Sequence, residues 1–387
     1  HSRGSTSYTL LIKIAQVMRR FLANSLSAAC SSWSEPTGLF FSISLDRLSG
    51  ELFIRANAGE HLPDSVIMAP KINQLLIVKG TRKDPVKHVS FKNITFSHSS
   101  WSLPETGYAG IQAACYGSVY GKEPTHMVEP AIYLVFAEKC KFEDCVFTHL
   151  GAGGLGLGAG CRHNVVLNCK FDDIGANGIV TGWRGTEDRG PRMWFDNDWP
   201  HSDDIPEDNH VEHCEVQRCG QICFGAVAIF DAFTKRSQIV FNEVSDCPYS
   251  GISVGFRWDT TKTSHSETYV AFNHIHNVMK FLADGGGIYT LGWQPGTVLQ
   301  GNLIHDIHRS AYAFGGAPNN GIFFDEGSKG LTVRENIIYN TSGEPIRFNQ
   351  CQKEWMEWED NYFNISPNDP DFPREKARRA GPAGREN

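Results

Sequence analysis

The residues best placed to do chemistry are carboxylates set among glycines and aromatic rings. Two segments, ADGGGIYTLGWQPGT (283–297) and NNGIFFDEGS (319–328), carry Asp284, Asp325 and Glu326, with Asp306 between them. Two carboxylates facing each other across a groove are what cleavage of a glycosidic bond needs: one protonates the leaving oxygen, the other attacks or activates water. Trp258 and Trp293 follow corresponding apolar runs and are candidates to stack on sugar faces, Arg257 to orient a carboxylate, and Tyr289 to contact substrate. An isolated Asp beside Gly is more commonly a turn residue. No His, Asp or Cys constellation has metal-ligand spacing in the linear sequence, so neither a metal nor a cofactor is expected. The acidic loop Asp196–Asp208 offers oxygen ligands for calcium without a calcium motif.

The elements that would position these residues repeat. FKNITF, FEDCVF, VLNCKF, VEHCEV, VFNEVS, AFNHIH, QGNLIH, RENIIY and EDNYF align without gaps. Their third-position column runs Asn93, Asp144, Asn168, His213, Asn242, Asn273, Asn302, Asn336, Asn361. The shortest spacing, 24 residues, is one coil of a solenoid; longer ones are coils with insertions. Asn suits a sharp turn between short strands because it tolerates left-handed backbone, and stacked Asn side chains can also hydrogen-bond along the axis. A second apolar strand flanked by glycine follows each column: GGLGLG, GIVTG, AVAIF, GISVGF, GIYTLG, GIFFDEG. The expected fold is all-β, a right-handed parallel β-helix in which each coil buries its inner face only against its neighbours.

Three regions are expected. Residues 1–85 form an N-terminal segment with a β-hairpin cap, GLFFSISLDRLSGELFI, turning near Arg47–Gly50; 86–366 form the β-helix; and 367–387 form a charged, disordered tail. Two insertions, Trp101–Pro130 and Trp183–Asp208 (with Trp194 and Trp199), are expected to wall a cleft. His276 and His305 share a column with Phe96, Phe147 and Phe171 and read as stacked structural histidines.

DGGGIYTLGWQPGTVLQGNLIHDIHR, GIFFDEGSKGLTVRENIIYNT and PYSGISVGFRW resemble right-handed β-helix glycoside hydrolases of the family 141 type, which include an α-L-fucosidase and xylanases. The resemblance runs from about Leu45 to about Asn364 and implies hydrolysis of plant-type polysaccharide, with Asp284 and Asp325 as the catalytic pair. The chain departs from the family's pattern at RFNQCQ (347–352), where relatives carry a histidine-containing segment. It also departs before Trp33, where the leading segment is missing or altered.

Register tests that pair. With Gly287 aligned to Gly321, Asp284 lies three residues before the reference and Asp325 four after. Seven residues of extended strand span about 23 Å, against about 5 Å between the carboxyls of retaining enzymes and roughly 6.5–9.5 Å in inverting ones. Either the insertion around Ala311–Asn320 shifts the register, or the pair is different. On the simple register Asp231, Trp293, Asp325 and Glu326 gather at one strand end, which keeps Asp231 and Glu326 as reserves.

Composition narrows the alternatives. The 387 residues include 38 Gly, 24 Phe and 11 Cys, with a net charge of −7. That charge gives no footprint for nucleic acid, and no apolar stretch is long enough to span a bilayer. Cys145, Cys169 and Cys214 share one repeat column, as small apolar fillers of an interior position would. Residues Tyr8–Cys30 mimic a secretion signal, but Arg19 and Arg20 follow the apolar part instead of preceding it. The chain therefore reads as a fragment of a secreted protein, extracellular or periplasmic, acting as a monomer on carbohydrate. A polysaccharide lyase or epimerase is the enzymatic alternative, although the expected cleft lacks a clear basic set. A non-catalytic carbohydrate-binding β-helix is the other.

Overall fold

In the computed structural model, which describes residues 9–13, 42–46, 51–55, 68–105, 107–110, 112–117, 126–183, 199, 201–313 and 315–382, the repeat winds into three parallel sheets of nine strands each. The chain is a right-handed parallel β-helix. Its nine coils are counted here by their first-sheet strands: Leu76–Lys79, Pro130–Val135, Gly153–Gly158, Ile179–Trp183, Ile229–Asp231, Ile252–Gly255, Gly285–Leu291, Asn319–Phe324 and Ile346–Phe348. The coils thus begin at Leu76, inside the segment read as cap.

The proposed hairpin strands, Ser42–Asp46 and Glu51–Arg55, do pair antiparallel, with Asp46 opposite Glu51. Thr9–Lys13 adds to the other side of Glu51–Arg55. This small sheet belongs to a separate unit, and its turn near Arg47–Gly50 lies outside the described residues. Among the described residues no helix is long and apolar enough to cross a membrane.

Corners between the second and third sheets separate two roles that the sequence alignment had merged. Asn93, Asp144, Asn168 and His213 have positive φ, and their structural equivalents are Phe241, Phe272, Gly301, Glu335 and Asp360, all at positive φ as well. Asn242, Asn273, Asn302, Asn336 and Asn361 sit one residue later, in register with Cys145, Cys169 and Cys214. The ungapped alignment therefore slips by one residue at VFNEVS. The later column is a side-chain ladder. Asn242 Nδ2 donates to Asn273 Oδ1 at 2.9 Å, Asn273 to Asn302 at 3.0 Å and Asn302 to Asn336 at 2.9 Å. Each of these four Asn is fully buried, and each Oδ1 from Asn273 onward also accepts the backbone N–H of the coil before, at 3.0–3.1 Å. Where Cys replaces Asn the column is filled with thiol; nine of the ten cysteines among the described residues are buried.

Aromatic rings fill the early coils. Phe96, Phe147 and Phe171 stack at 5.2 and 4.3 Å, and Phe91 stacks on Phe142 at 4.7 Å. Where the third sheet returns to the first there is no room for a side chain: a Cβ on Gly321 would lie 2.2 Å from Ile338 Cγ2.

The tail departs from its expectation of disorder as far as residue 382. Lys376 Nζ pairs with Glu335 Oε1 at 2.8 Å. Arg379 lies 4.6 Å over the Phe272 ring, and the Gly381 N–H donates to Phe272 O at 2.8 Å. Its charges have an acid, Glu335, and two rings, Phe272 and Tyr362, to settle on.

Candidate active site on the outer face of the first sheet

Strand alternation sorts the first sheet into inward and outward columns. Tyr133, Gly156, Val180, Phe230, Ser253, Tyr289, Phe323 and Arg347 are in register along one column. The next column, Thr181, Asp231, Val254, Thr290, Phe324 and Phe348, turns inward. Asp231 is therefore not a groove residue. It is fully buried, and the hydroxyls of Thr181, Thr234 and Thr268 all donate to its carboxylate. An inward carboxylate needs such donors to offset its desolvation, so Asp231 is structural.

Asp325 comes just after its strand, at the outer face. Its carboxylate is almost buried and accepts the Tyr289 hydroxyl on Oδ2 and the Asn349 Nδ2 on Oδ1, the latter at 2.7 Å. Glu326 follows it and accepts Gln350 Nε2 at 3.0 Å. Partial burial, then the charge of Asp325, raises the Glu326 pKa above the ordinary glutamate value. Gly327 turns the chain at φ 76°, where a Cβ would lie 2.4 Å from the backbone of Asp259.

Asp284 enters from the opposite strand end. The insertion 311–320 does not shift the register: Gly285 pairs with Asn319, Ile288 with Ile322 and Thr290 with Phe324. The seven-residue backbone offset to Asp325 is real, but side chains bridge it. Arg347, level with Tyr289 and Phe323, lies over the Phe323 ring at 4.1 Å and donates from Nη1 to Asp284 Oδ1 at 2.8 Å. Tyr249 donates its hydroxyl to the Asp284 carbonyl at 2.7 Å. Burial holds the Tyr249 proton on, and the charges of Asp284 and Asp325 both add to that hold. The Tyr289 proton is likewise held by burial, with Tyr249 and Asp325 contributing.

The other expected binders divide. Arg257 pairs with Asp259 and not with a candidate catalytic carboxylate, through Nε at 2.9 Å and Nη2 at 2.7 Å; the guanidinium holds the Asp259 pKa far below the usual range. Trp258 packs edge-on to Phe256 at 4.6 Å and against the core, so its ring is only partly offered to a ligand. Trp293 is half-buried, with Lys329 Nζ 5.9 Å from its ring. Tyr289 is 2 % exposed; it reaches the site through its hydroxyl on Asp325 and not as a stacking surface. The Trp199 indole donates to Phe233 O at 2.6 Å and is buried. Trp194 and the side chain of Trp183 lie outside the described residues. Gln112, from the first insertion, lies against the Tyr289 phenol.

Sequence reasoning missed Tyr249, Asp259, Arg347 and Asn349. Arg347 and Asn349 stood in RFNQCQ, one coil beyond the motif, and only the coil length could have pointed to them. It also missed a cluster on another face, the outer side of the third sheet: Glu243, His274 and His276 have ligand atoms within 4.8 Å of one another. The expectation of no metal rested on linear spacing, and Glu243 is 31 residues from His274. His276 and His305 do stack, at 5.3 Å, but one residue past the column of Phe96, Phe147 and Phe171, which continues inward as Val216, Val244, Ile275 and Ile304.

The fold and these columns place the chain in the class of right-handed parallel β-helices, and the family model for the right-handed β-helix region matches residues 205–368. A glycoside hydrolase of known structure is similar at a TM-score of 0.77 and 28% identity, over 88% of this chain and 58% of that one. The chain therefore spans less than two thirds of that hydrolase. PfbA, a surface adhesin of Streptococcus pneumoniae, is similar at a TM-score of 0.40 and 11% identity, over 72% of this chain and 65% of that one. No curated protein matches the chain.

Proposed function

We propose that the protein is a glycoside hydrolase acting on a plant-type polysaccharide or oligosaccharide, fucoside or xylan-like. The observation that carries this is Asp325, an almost buried carboxylate fixed by two donors beside a second carboxyl, Glu326, whose pKa partial burial raises above the ordinary glutamate value. Divergent environments of neighbouring carboxyls are how acid and base roles are divided. Similarity to a glycoside hydrolase supports the same reading. In this assignment Glu326 gives its proton to the leaving glycosidic oxygen as the C–O bond breaks. Asp325 attacks the anomeric carbon or takes a proton from the attacking water. Asp284, 60% exposed at the side chain and held by Arg347, positions the sugar.

A lyase is the second reading, since Tyr249, Tyr289 and Arg347 supply the phenols and cation that the sequence had not shown. Against it, both phenols are held protonated, which makes them donors and poor bases.

The test is a series of Asp325→Asn, Glu326→Gln and Asp284→Asn on aryl fucosides, aryl xylosides and xylan. Loss of an acid or base costs about 10²–10⁴-fold in rate, expected for the first two and not for Asp284→Asn. Glu326 works protonated, so its raised pKa should set an alkaline limb: kcat/KM falls as pH rises through it, and Glu326→Gln loses that limb. Equal, near-complete loss in Asp284→Asn and Asp325→Asn would return the roles to that pair. Hydrolysis unchanged in both Asp325→Asn and Glu326→Gln would sink the proposal, and an unsaturated uronide product would favour the lyase.

A further inference from the structure

The outer face of the third sheet carries polar groups that the carbohydrate site does not use. His274 and His276 are two residues apart on one strand, so both point outward while Ile275 is buried between them. Glu243 of the preceding coil is in register with His274. One carboxylate oxygen lies 3.0 Å from His274 Nδ1 and the other 2.9 Å from His276 Nε2. Zinc bonds of about 2.0–2.2 Å in a tetrahedron place donor atoms about 3.3 Å apart, so small side-chain rotations would complete a three-ligand set.

The hydrogen bonds of the next coil support the same atoms. His305, from the next coil, has Nδ1 2.7 Å from Asp306 Oδ2 and Nε2 2.8 Å from His274 Nε2. A carboxylate only accepts, so a neutral His305 donates from Nδ1 and offers a lone pair at Nε2. His274 can then donate from Nε2 and keep its Nδ1 lone pair for a ligand bond on the side of Glu243 Oε2. A carboxylate orienting a histidine through its far nitrogen is also the usual support of a metal-binding imidazole; here the support runs from Asp306 through His305 to His274.

We propose that Glu243, His274 Nδ1 and His276 Nε2 bind one divalent transition-metal ion of the zinc type, with a fourth position open to water. The ion would tie the fifth and sixth coils together on a face other than that of Asp325. The C-terminal segment passes beside it, since a Cβ on Gly381 would lie 3.6 Å from Glu243 Oε2. The donor set, two imidazoles and one carboxylate, suits zinc or cobalt better than calcium or magnesium.

The test uses the full chain, without a histidine tag and stripped with a chelator. Zinc chloride is titrated calorimetrically, and cobalt chloride is followed by its visible absorption. Saturable binding of one equivalent is expected, with tetrahedral cobalt bands, a rise in Tm, and loss of all three in His274→Ala/His276→Ala. Asp306→Asn, which leaves every ligand in place, should weaken binding about 10–100-fold. Circular dichroism checks that the variants fold. Absence of saturable binding to the unmodified chain means that a proton bridges His274 and Glu243, and overturns the proposal. So does binding unchanged in the double variant, or a thiolate-to-cobalt band that assigns the ion to cysteine.

Discussion

At the scale of single residues, the site depends on what donates to Asp325. Tyr289 to Phe removes one of its two donors while keeping the ring, its edge-on contact with Phe323 at 5.2 Å and the buried volume. A hydrogen bond to a charged group is worth about 1.5–3 kcal/mol. We therefore expect Tyr289→Phe to lose about 10–100-fold in kcat with the fold intact by circular dichroism. Activity equal to that of the unmodified chain would make Tyr289 a packing residue only. The two carboxylates of the proposed assignment, Asp325 and Glu326, stood out in the sequence because GIFFDEGS places them after an apolar strand, although the sequence favoured Asp284 as the partner of Asp325 and held Glu326 in reserve. The hydrogen-bond partners did not stand out. Asn349 lies 24 residues from Asp325 and Arg347 63 from Asp284, and such distances become neighbours only once coil length and register are known. Asp231 misled for a related reason: its strand position was right, but whether that position faces in or out could not be read from a segment as apolar as AVAIF.

At the scale of the repeating corner, one residue of register separates two uses of Asn. In the earlier column the residue must accept positive φ, and Asn168, at φ 51°, does so near the surface. In the later column the side chain itself is the structure. Asn273 Nδ2 donates to Ile239 O at 2.8 Å and to Asn302 Oδ1 at 3.0 Å, while its Oδ1 accepts from Asn242. The sequence repeat made the fold legible because both uses select the same residue type. For that same reason it blurred the register, and ungapped alignment could not tell which use a given Asn served. Substitution separates them. Asn273→Gly leaves buried donors and acceptors without partners, each costing about 1–3 kcal/mol, so a large fall in Tm is expected. Asn168→Gly keeps the backbone conformation at little steric cost, and a Tm within a degree or two of the unmodified protein is expected. Equal losses at the two positions would mean that the ladder adds nothing beyond the turn.

At the scale of the whole molecule, the core of the coils is one continuous cluster from Val78 to Met356, but it is built from neighbour contacts, because each coil touches only the coils beside it. Stability is then a sum of coil and interface terms, and damage should stay local. Phe147, fully buried in the second coil, is the place to test this, because its ring stacks on Phe96 before it and Phe171 after it. Truncating a buried Phe to Ala costs about 3–5 kcal/mol. If the coils are coupled only to their neighbours, Phe147→Ala should lower the opening free energy of the first three coils by about that amount. Coils six to nine, which hold Tyr289, Arg347 and Asp325, should keep their protection. Native-state hydrogen exchange read by mass spectrometry resolves the two regions, which are separated by Ile179–Ser245. The alternative result, an equal loss of protection in all nine coils, would show one cooperative block in which the Asn ladder and the inner stacks transmit a defect along the whole axis. The first outcome would also explain how one stack of coils can carry insertions of different length: each alters its own interfaces and leaves the register at the Asp325 site untouched.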